Sequence, residues 1–293
     1  MKVFQFIKAV FTITLFVSAM YCYAQEPTVK RTRDLIYAKH EGVALTMDVI
    51  QPKKSNGLGI ISIVSGGWKS THDGIGSGRP FTDKGYTVFY VVHGSQPRFI
   101  VDEIVKDIHS AVGYIRCNAK KYNVNPDKLG ITGSSAGGHL SLMMATTGGP
   151  TDSEPGNPCL NSSVQAVACF YPPTDYLNWF SEGDVAVGVG RLAAYSAAFG
   201  PKSQTAEGRE TLGRALSPIY HVNAKQPPIF IIHGDSDDQV SIFQAYRFKK
   251  RCDEVGAVCK LNIVNGGGHG GWPDMKKQQE LLVDFFDMHL KKK

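Results

Sequence analysis

The sequence predicts an α/β protein with a doubly wound, mostly parallel sheet. Its 293 residues fit one large α/β domain, and 42% hydrophobic with 20% charged residues is an ordinary globular composition. From residue 34 onward, short apolar segments rich in β-branched residues alternate with helix-like segments of about ten to fifteen residues. This alternation favours a parallel sheet that helices cover on both faces.

The predicted strands are short and apolar, and the predicted helices are amphipathic or rich in small residues. The segment 86–92 (YTVFYVV) is almost wholly apolar, which is typical of a strand buried on both faces. Between residues 100 and 115, isoleucine and valine recur at three- and four-residue steps, which predicts a helix. The other predicted strands cover 45–50, 58–64, 128–133, 164–170, 229–233 and 259–264, and the other predicted helices cover 136–147, 240–255 and 275–289.

Residues 173–227 interrupt the alternation. They contain Trp179, Phe180, Tyr195 and Phe199 among glycine, alanine and charged residues. We interpret this segment as a helical insert before the penultimate strand, not as a second domain. It either contributes a lid over a binding site or packs against the domain without a role in binding.

The N-terminal residues have the layout of a secretory signal peptide. Two lysines flank the start of the apolar stretch 9–20, and the triplet 22–24 (CYA) is small at both ends. A membrane-anchoring helix is the alternative, although the apolar stretch is short for a membrane span. The sequence thus predicts a signal peptide over 1–24, one domain over 25–293, and a periplasmic or secreted location without stable membrane association after cleavage.

Charge indicates no nucleic-acid partner. The chain carries a net charge of +6, and removal of residues 1–24 takes away two lysines and no acidic residue, which leaves +4. So mild an excess does not indicate nucleic-acid binding. The sequence leaves the oligomeric state open.

Five cysteines remain after residue 24, so at least one thiol is free or pairs with another molecule. They are Cys117, Cys159, Cys169, Cys252 and Cys259. Cys252 and Cys259 bracket a predicted helix end and strand start, which makes them the best predicted disulfide pair. Cys169 lies in an apolar run and is predicted to be a buried thiol. The chain has no C-x-x-C, H-E-x-x-H or G-x-x-x-x-G-K-[ST] sequence, so we predict no metal or cofactor.

The strongest chemical signal is the sequence GSSAG at 133–137, the one G-x-S-x-G in the chain. A predicted strand precedes it and a predicted helix follows it, which is the context that a nucleophilic serine on a sharp turn requires. The glycines two residues to either side select Ser135 rather than Ser134. The alternative is a glycine-serine turn that caps a helix.

A serine nucleophile needs a base and a third group that orients the base. In a doubly wound hydrolase these follow later strands, in the order acid and then histidine. His269 follows the last predicted strand in a glycine-rich loop, and it is the one histidine of nine in that position. The acid is predicted to be Asp237, with Asp235 and Asp238 of the same loop and the more distant Asp175 as alternatives.

The anionic intermediate of such a reaction needs hydrogen-bond donors. The backbone N–H of Ala136 is one candidate, and Gly66 and Gly67, which follow an early predicted strand, offer others. The alternative is that these glycines form a simple tight turn. Three tryptophans are candidates for lining a substrate pocket, unless they are ordinary core or surface aromatics: Trp68, Trp179 and Trp272.

With these residues in place, the sequence resembles an α/β-hydrolase of the esterase/lipase group, close to carbohydrate-esterase-like and feruloyl-esterase-like members. The resemblance covers about residues 35–290 and rests on five motifs. These are VSGGW (64–68), GITGSSAGGHLSL (130–142), SPIYHV (217–222), IIHGDSDDQV (231–240) and GGGHG (266–270).

The resemblance implies Ser135 as nucleophile, Asp237 as acid and His269 as base, with the oxyanion hole at Gly66, Gly67 and Ala136. Many relatives have an HGGGW-like oxyanion loop, whereas this chain has Val64 and Ser65 in the first two places. The histidine that often braces the loop is therefore absent.

Together these observations predict a secreted serine carboxylic ester hydrolase whose substrate is a small-molecule or polysaccharide ester, with acetyl or feruloyl esters of polysaccharide favoured. A serine peptidase of the prolyl oligopeptidase type is an alternative, although such enzymes usually carry a large propeller domain for which this chain has no room. A non-catalytic binding protein on a hydrolase scaffold is the other, and the complete set of Ser135, Asp237 and His269 argues against it.

Overall fold

The computed structural model describes residues 29–150 and 158–291. The signal peptide predicted over 1–24 lies outside the described residues. The strands are β1 (Val29–His40), β2 (Val43–Pro52), β3 (Gly59–Val64), β4 (Thr87–Val92), β5 (Leu129–Ser134), β6 (Ala166–Phe170), β7 (Ile229–Gly234) and β8 (Cys259–Val264). The α-helices are α1 (Arg79–Thr82), α2 (Val101–Cys117), α3 (Ala136–Thr147), α4 (Ser196–Phe199), α5 (Ala206–Leu216), α6 (Ile242–Glu254) and α7 (Met275–Leu290). None of the helices in these two ranges is long and apolar enough to cross a bilayer.

All eight strands join one sheet in the order β1-β2-β4-β3-β5-β6-β7-β8. β1 and β2 are antiparallel to their neighbours. The other six strands, β3 to β8, are parallel to one another. One core cluster packs α2, α3 and α6 against one face of the sheet, and a second packs α1 and α7 against the other. The prediction of a doubly wound, mostly parallel sheet is confirmed.

β1 is the strand that the sequence pattern missed. Of its twelve residues, VKRTRDLIYAKH, one is buried, and two register shifts interrupt its pairing with β2. An edge strand that buries few side chains lacks the alternation that identifies a half-buried strand, so its charges give it the appearance of a loop.

The segment predicted as a helical insert lies between β6 and β7 and contains α4, α5 and short 3₁₀ turns. Tyr176, Trp179 and Phe199 of this segment are almost fully buried, and the rings of Tyr176 and Phe199 pack against Trp68. The insert is therefore packed against the carboxyl edge of the sheet, where the parallel strands end.

The disulfide prediction was wrong. A disulfide joins Cys117, at the end of α2, to Cys159, 42 residues later in the chain. Cys252 and Cys259 are both free buried thiols, although they lie at a helix end and a strand start as expected. Cys169 is a free buried thiol, which confirms that part of the prediction.

Candidate active site

Ser135 occupies a strained turn between β5 and α3. Its φ and ψ are 53° and −120°, in a region that residues with a side chain rarely adopt. A Cβ atom on Gly133 would lie 2.5 Å from the backbone of Gly137, so the turn closes only because residue 133 is glycine. The turn is fixed by a hydrogen bond of 3.0 Å from the Ser135 N–H to the carbonyl of Phe170. The result is a serine hydroxyl at the carboxyl edge of the sheet.

His269 contacts this hydroxyl and a carboxylate at the same time. Its Nδ1 lies 2.7 Å from Oδ2 of Asp237, and its Nε2 lies 2.9 Å from Oγ of Ser135. An ionised carboxylate can only accept, so Nδ1 carries the hydrogen and donates it to Asp237. Nε2 then has a free lone pair, which accepts the hydrogen of the Ser135 hydroxyl.

Asp237 is fully buried and held by several donors. Its Oδ1 accepts hydrogen bonds of 2.9 Å from the N–H groups of Gln239 and Val240. Burial raises the pKa of this carboxyl. The contacts with His233, His269 and the Val240 amide lower the pKa by more than burial raises it, so it lies well below the usual range. The carboxylate is therefore ionised at neutral pH and oriented toward His269.

The neighbouring carboxylates have other positions. Asp235 accepts the Gly266 N–H at 2.7 Å and so ties the His269 loop to the end of β7. Asp238 lines the cavity described below, and neither residue caps α6, whose N-cap is Ser241. Asp175 is buried in an ion pair of 3.0 Å with Arg247. Asp237 is the acid of this group that meets the imidazole.

His233 makes a structural hydrogen bond at the end of β7. It is completely buried at the end of β7, and its Nε2 donates to the carbonyl of Val240 at 2.8 Å. The same nitrogen lies 3.3 Å from Oδ2 of Asp237, so His233 also contacts the carboxylate that meets His269.

Of the two glycines predicted to donate from the loop after β3, Gly67 keeps a free amide and Gly66 does not. Gly66 and Lys69 exchange a pair of backbone hydrogen bonds, of 2.9 and 3.0 Å, which uses the Gly66 N–H within the turn. Among the described residues, the N–H groups of Gly67 and Ala136 have no acceptor. The expectation that Gly66 also donates is therefore corrected, because its N–H is already bonded. Gly67 and Ala136 remain the candidate donors, and Gly66 shapes the loop.

The loop is braced by Trp68 and a buried histidine of α3. Because the carbonyl of Leu216 can only accept, His139 donates to it from Nε2 at 2.7 Å and keeps Nδ1 as an acceptor. The Trp68 indole N–H faces that Nδ1 at 3.4 Å. Burial lowers the pKa of His139 to about 4, which keeps the ring neutral in this role. His139, in the helix that follows Ser135, thus takes the place of the bracing histidine that is absent from the loop sequence.

A cavity of about 530 Å³ opens beside Ser135 and His269, and we call it the Ser135 cavity. Trp68 and Trp179 line it, as predicted. The prediction for Trp272 was wrong, because its indole turns away and donates to the carbonyl of Gly268 at 2.9 Å. There it packs against Tyr171 and braces the His269 loop.

Several lining residues were not predicted from the sequence. Tyr171 places its ring 4.5 Å from the imidazole of His269, and its position directly after β6 was a signal that could have identified it. Arg191, Leu192 and Tyr195 come from the insert and also line the cavity. A Cβ atom on Gly67 would lie 2.5 Å from the ring of Tyr195, so the oxyanion loop and the insert pack closely.

One group of potential metal ligands occurs among the described residues. Donor atoms of Asp34, Asp48 and His72 lie within 4.8 Å of one another. Asp48 is already paired with Arg31 at 2.6 Å, and Asp34 is 3.0 Å from His72. These contacts tie the loop that follows the oxyanion loop to β1 and β2, so the group has a structural role.

Comparisons with known proteins agree with this geometry. The sequence profile of the BD-FAE family matches residues 47–252. The chain is 28% identical over 209 residues to the probable carboxylic ester hydrolase LipM of Mycobacterium tuberculosis, covering 70% of this chain and 46% of that protein. It is 32% identical over 98 residues to an acetylxylan esterase of Xylanibacter ruminicola, covering 32% of this chain and 20% of that protein. The chain spans less than half the length of these two relatives.

A solved structure of similar extent gives the same result. A truncated carbohydrate esterase from gut microbiota superposes with a TM-score of 0.73 at 26% identity, covering 89% of this chain and 98% of that one. The resemblance to α/β-hydrolase esterases is confirmed, and the chain belongs to the BD-FAE family of this fold.

Proposed function

We propose that the protein is a secreted serine carboxylic ester hydrolase. The observation that carries the proposal is the unbroken series of hydrogen bonds from Ser135 through His269 to Asp237, at a strained turn beside two free amides. This arrangement joins an activated nucleophile to an oriented base and to oxyanion donors, which are the parts that acyl transfer requires.

In the proposed mechanism, His269 Nε2 takes the proton of Ser135 as Oγ attacks the ester carbonyl carbon. The N–H groups of Gly67 and Ala136 donate to the oxygen that becomes negative, and Asp237 stabilises the imidazolium. His269 then protonates the leaving alcohol oxygen, and the acyl group stays on Ser135. A water molecule, deprotonated by His269, then attacks the acyl carbon. The bond from that carbon to Ser135 Oγ breaks, the acid is released, and Oγ takes the proton back from His269.

For the substrate we propose acyl esters of polysaccharide, such as acetyl or feruloyl groups. The acetylxylan esterase among the relatives and the carbohydrate esterase among the solved structures support this class. The aromatic walls of the Ser135 cavity, Trp68 and Trp179, are suited to an acyl group or a sugar ring.

The proposed location is the periplasm or the exterior of the cell. The signal-peptide layout of residues 1–24 is the first support. The second is the disulfide between Cys117 and Cys159, because such bonds persist mainly in oxidising compartments.

The test is hydrolysis of p-nitrophenyl acetate by residues 25–293 and by Ser135→Ala and His269→Ala. We expect both variants to lose about 10³-fold or more in kcat, because neither can form the acyl-enzyme at the native rate. Ser110→Ala and His221→Ala, changed outside the Ser135 cavity, should keep the native rate. A folded native protein that neither hydrolyses the ester nor reacts with a fluorophosphonate at Ser135 would contradict the proposal.

A further inference from the structure

The insert between β6 and β7 places a tyrosine against the oxyanion loop. Tyr195 is the last residue of the 3₁₀ turn Gly190–Tyr195 and directly precedes α4. A Cβ atom on Gly67 would lie 2.5 Å from Cε1 of the Tyr195 ring and 3.3 Å from its hydroxyl oxygen. The phenol of Tyr195 therefore lies beside the loop residue that keeps a free amide.

The ring of Tyr195 is held in a defined orientation by Trp68. The two rings meet edge to face, with centroids 5.8 Å apart and planes at 82°. Trp68 is itself buried, and its indole faces His139 of α3. A hydroxyl group on a ring held in this way is a preorganised donor, which is what stabilisation of a developing charge requires.

The hydroxyl hydrogen of Tyr195 is available to a ligand. Tyr195 lines the Ser135 cavity, and its hydroxyl makes no hydrogen bond with the other described residues. Tyr171, which also lines this cavity, has a different environment. Its ring packs against His269, and its hydroxyl contacts Ser134. Of these two tyrosines, Tyr195 is the one with a free donor beside the oxyanion loop.

The Tyr195 hydroxyl is close enough to the Gly67 amide for both to donate to one oxygen atom. A Cβ position is about 2.5 Å from the nitrogen of its own residue, so the phenol oxygen and the Gly67 nitrogen are at most about 5.8 Å apart. One oxygen that accepts two hydrogen bonds of about 2.9 Å spans such a separation. In the proposed mechanism, the oxygen that Gly67 binds is the ester carbonyl oxygen.

The backbone leaves a place for this donor. Three backbone donors were predicted, but the Gly66 N–H is bonded to the carbonyl of Lys69 within the turn. Gly67 and Ala136 therefore remain, and a tetrahedral oxyanion accepts a third hydrogen bond in addition to theirs. A side-chain hydroxyl beside Gly67 is suited to supply it.

We propose that Tyr195 is a catalytic residue whose hydroxyl is the third donor of the oxyanion hole. It donates its hydrogen to the ester carbonyl oxygen while Ser135 Oγ bonds to the carbonyl carbon, and it keeps that hydrogen, so no proton is transferred. The bond strengthens as negative charge develops on the oxygen, so it acts on kcat more than on KM. This inference rests on the proposed ester hydrolase function, and it assigns the insert a role in catalysis as well as in packing.

The test is Tyr195→Phe, which removes the hydroxyl and keeps the ring against Trp68. Kinetics are measured on p-nitrophenyl acetate and p-nitrophenyl butyrate, which share the carbonyl oxygen and differ in the acyl chain. Inhibition by methyl trifluoromethyl ketone is measured as well, because its adduct with Ser135 carries the same anionic oxygen. Tyr246→Phe is the matched control, since Tyr246 is exposed on α6 and does not line the Ser135 cavity.

We expect Tyr195→Phe to lower kcat by about 10²-fold on both esters, as for the loss of another oxyanion donor, and to change KM by less than about twofold. Affinity for the ketone should fall by a similar factor. Tyr195→Leu, which also lacks the hydroxyl, should show the same losses at least as strongly. Tyr246→Phe should match the native protein in every measurement.

Native kinetics in Tyr195→Phe, a loss confined to KM or to one of the two esters, or a loss of kcat without loss of ketone affinity would overturn the role of Tyr195. Each of these outcomes leaves the hydrolase function intact, because the native protein still cleaves both esters. Native protein that cleaves neither ester would overturn the hydrolase function itself.

Discussion

Two glycine-containing loops flank Ser135, and a tryptophan indole holds each of them in a different way. On the oxyanion side, Trp68 donates to His139 of α3, the helix that begins at Ala136. On the base side, Trp272 donates to the carbonyl of Gly268 within its own loop. The first bond joins the loop to α3, and the second lies within the loop itself.

The difference follows from what each loop must position. The proposed oxyanion hole combines a backbone N–H of the loop, at Gly67, with one of α3, at Ala136, so a bond between loop and helix fixes their separation. The loop that contains His269 positions the imidazole of that residue, and Asp237 orients the imidazole directly. We therefore expect Asp237 to matter most for catalysis, the Trp68–His139 bond next, and the Trp272 bond least.

The largest effect is expected for Asp237→Asn. Asparagine can donate to Nδ1 of His269 and so favours the tautomer with no lone pair on Nε2, which should lower kcat by about 10³- to 10⁴-fold. Asp175→Asn is the matched control, since Asp175 is equally buried but pairs with Arg247. It should reduce stability rather than kcat. Equal rate losses in the two variants would show that Asp237 has no special role.

A pH experiment tests whether His139 is a neutral brace. Burial lowers the pKa of His139 from 6.5 to about 4, so between these values the unfolded chain binds more protons than the folded one. Stability should therefore fall as the pH drops through this window, by about 2 to 3 kcal/mol from this residue at pH 4.5.

The measurement is urea unfolding at pH 7 and pH 4.5 for the native protein and His139→Gln, which cannot titrate. His93, whose pKa burial also lowers to about 4, is present in both proteins and cancels in the difference. The variant should lose less stability on acidification than the native protein. The same loss in both would mean that His139 is not held neutral by the fold.

How far the sequence predicts the site depends on the type of element. Ser135, Asp237 and His269 could be identified because each lies in the turn or loop after a predicted strand, and parallel strands bring such positions to one edge of the sheet. The glycine spacing around Ser135 has a steric cause, because a Cβ atom on Gly133 would clash with the backbone of Gly137. For these residues, local pattern and topology contain nearly all the information needed.

Other features depend on contacts that sequence patterns do not record. Trp272 lies three residues from His269, but left-handed glycines at 270 and 271 turn the chain and direct its indole inward. Arg191 and Leu192 reach the cavity from a short 3₁₀ turn of the insert. The partner of Cys117 lies 42 residues away, whereas the predicted pair, Cys252 and Cys259, was chosen because it brackets a helix end and a strand start.

A double-mutant cycle tests the loop-to-helix bond. Trp68→Phe and His139→Phe each remove one partner of it, and each should lower kcat by about tenfold, less than the loss of an oxyanion donor itself. Because both changes remove the same interaction, the double variant should be little worse than either single one. KM should change less than kcat if the bond positions the oxyanion loop. Fully additive losses would show that the two side chains act independently.

The smallest effect is expected for Trp272→Phe. The change keeps the ring that packs against Tyr171 and removes the indole N–H that donates to Gly268. One lost hydrogen bond of this kind should cost about 1 kcal/mol of stability. Since Asp237 still orients His269, kcat should fall by no more than about threefold, compared with about tenfold for Trp68→Phe. Kinetics of the two variants on p-nitrophenyl acetate provide the comparison. A larger rate loss for Trp272→Phe would reverse the proposed order of the loops and make His269, not the oxyanion hole, the part whose position depends on a tryptophan.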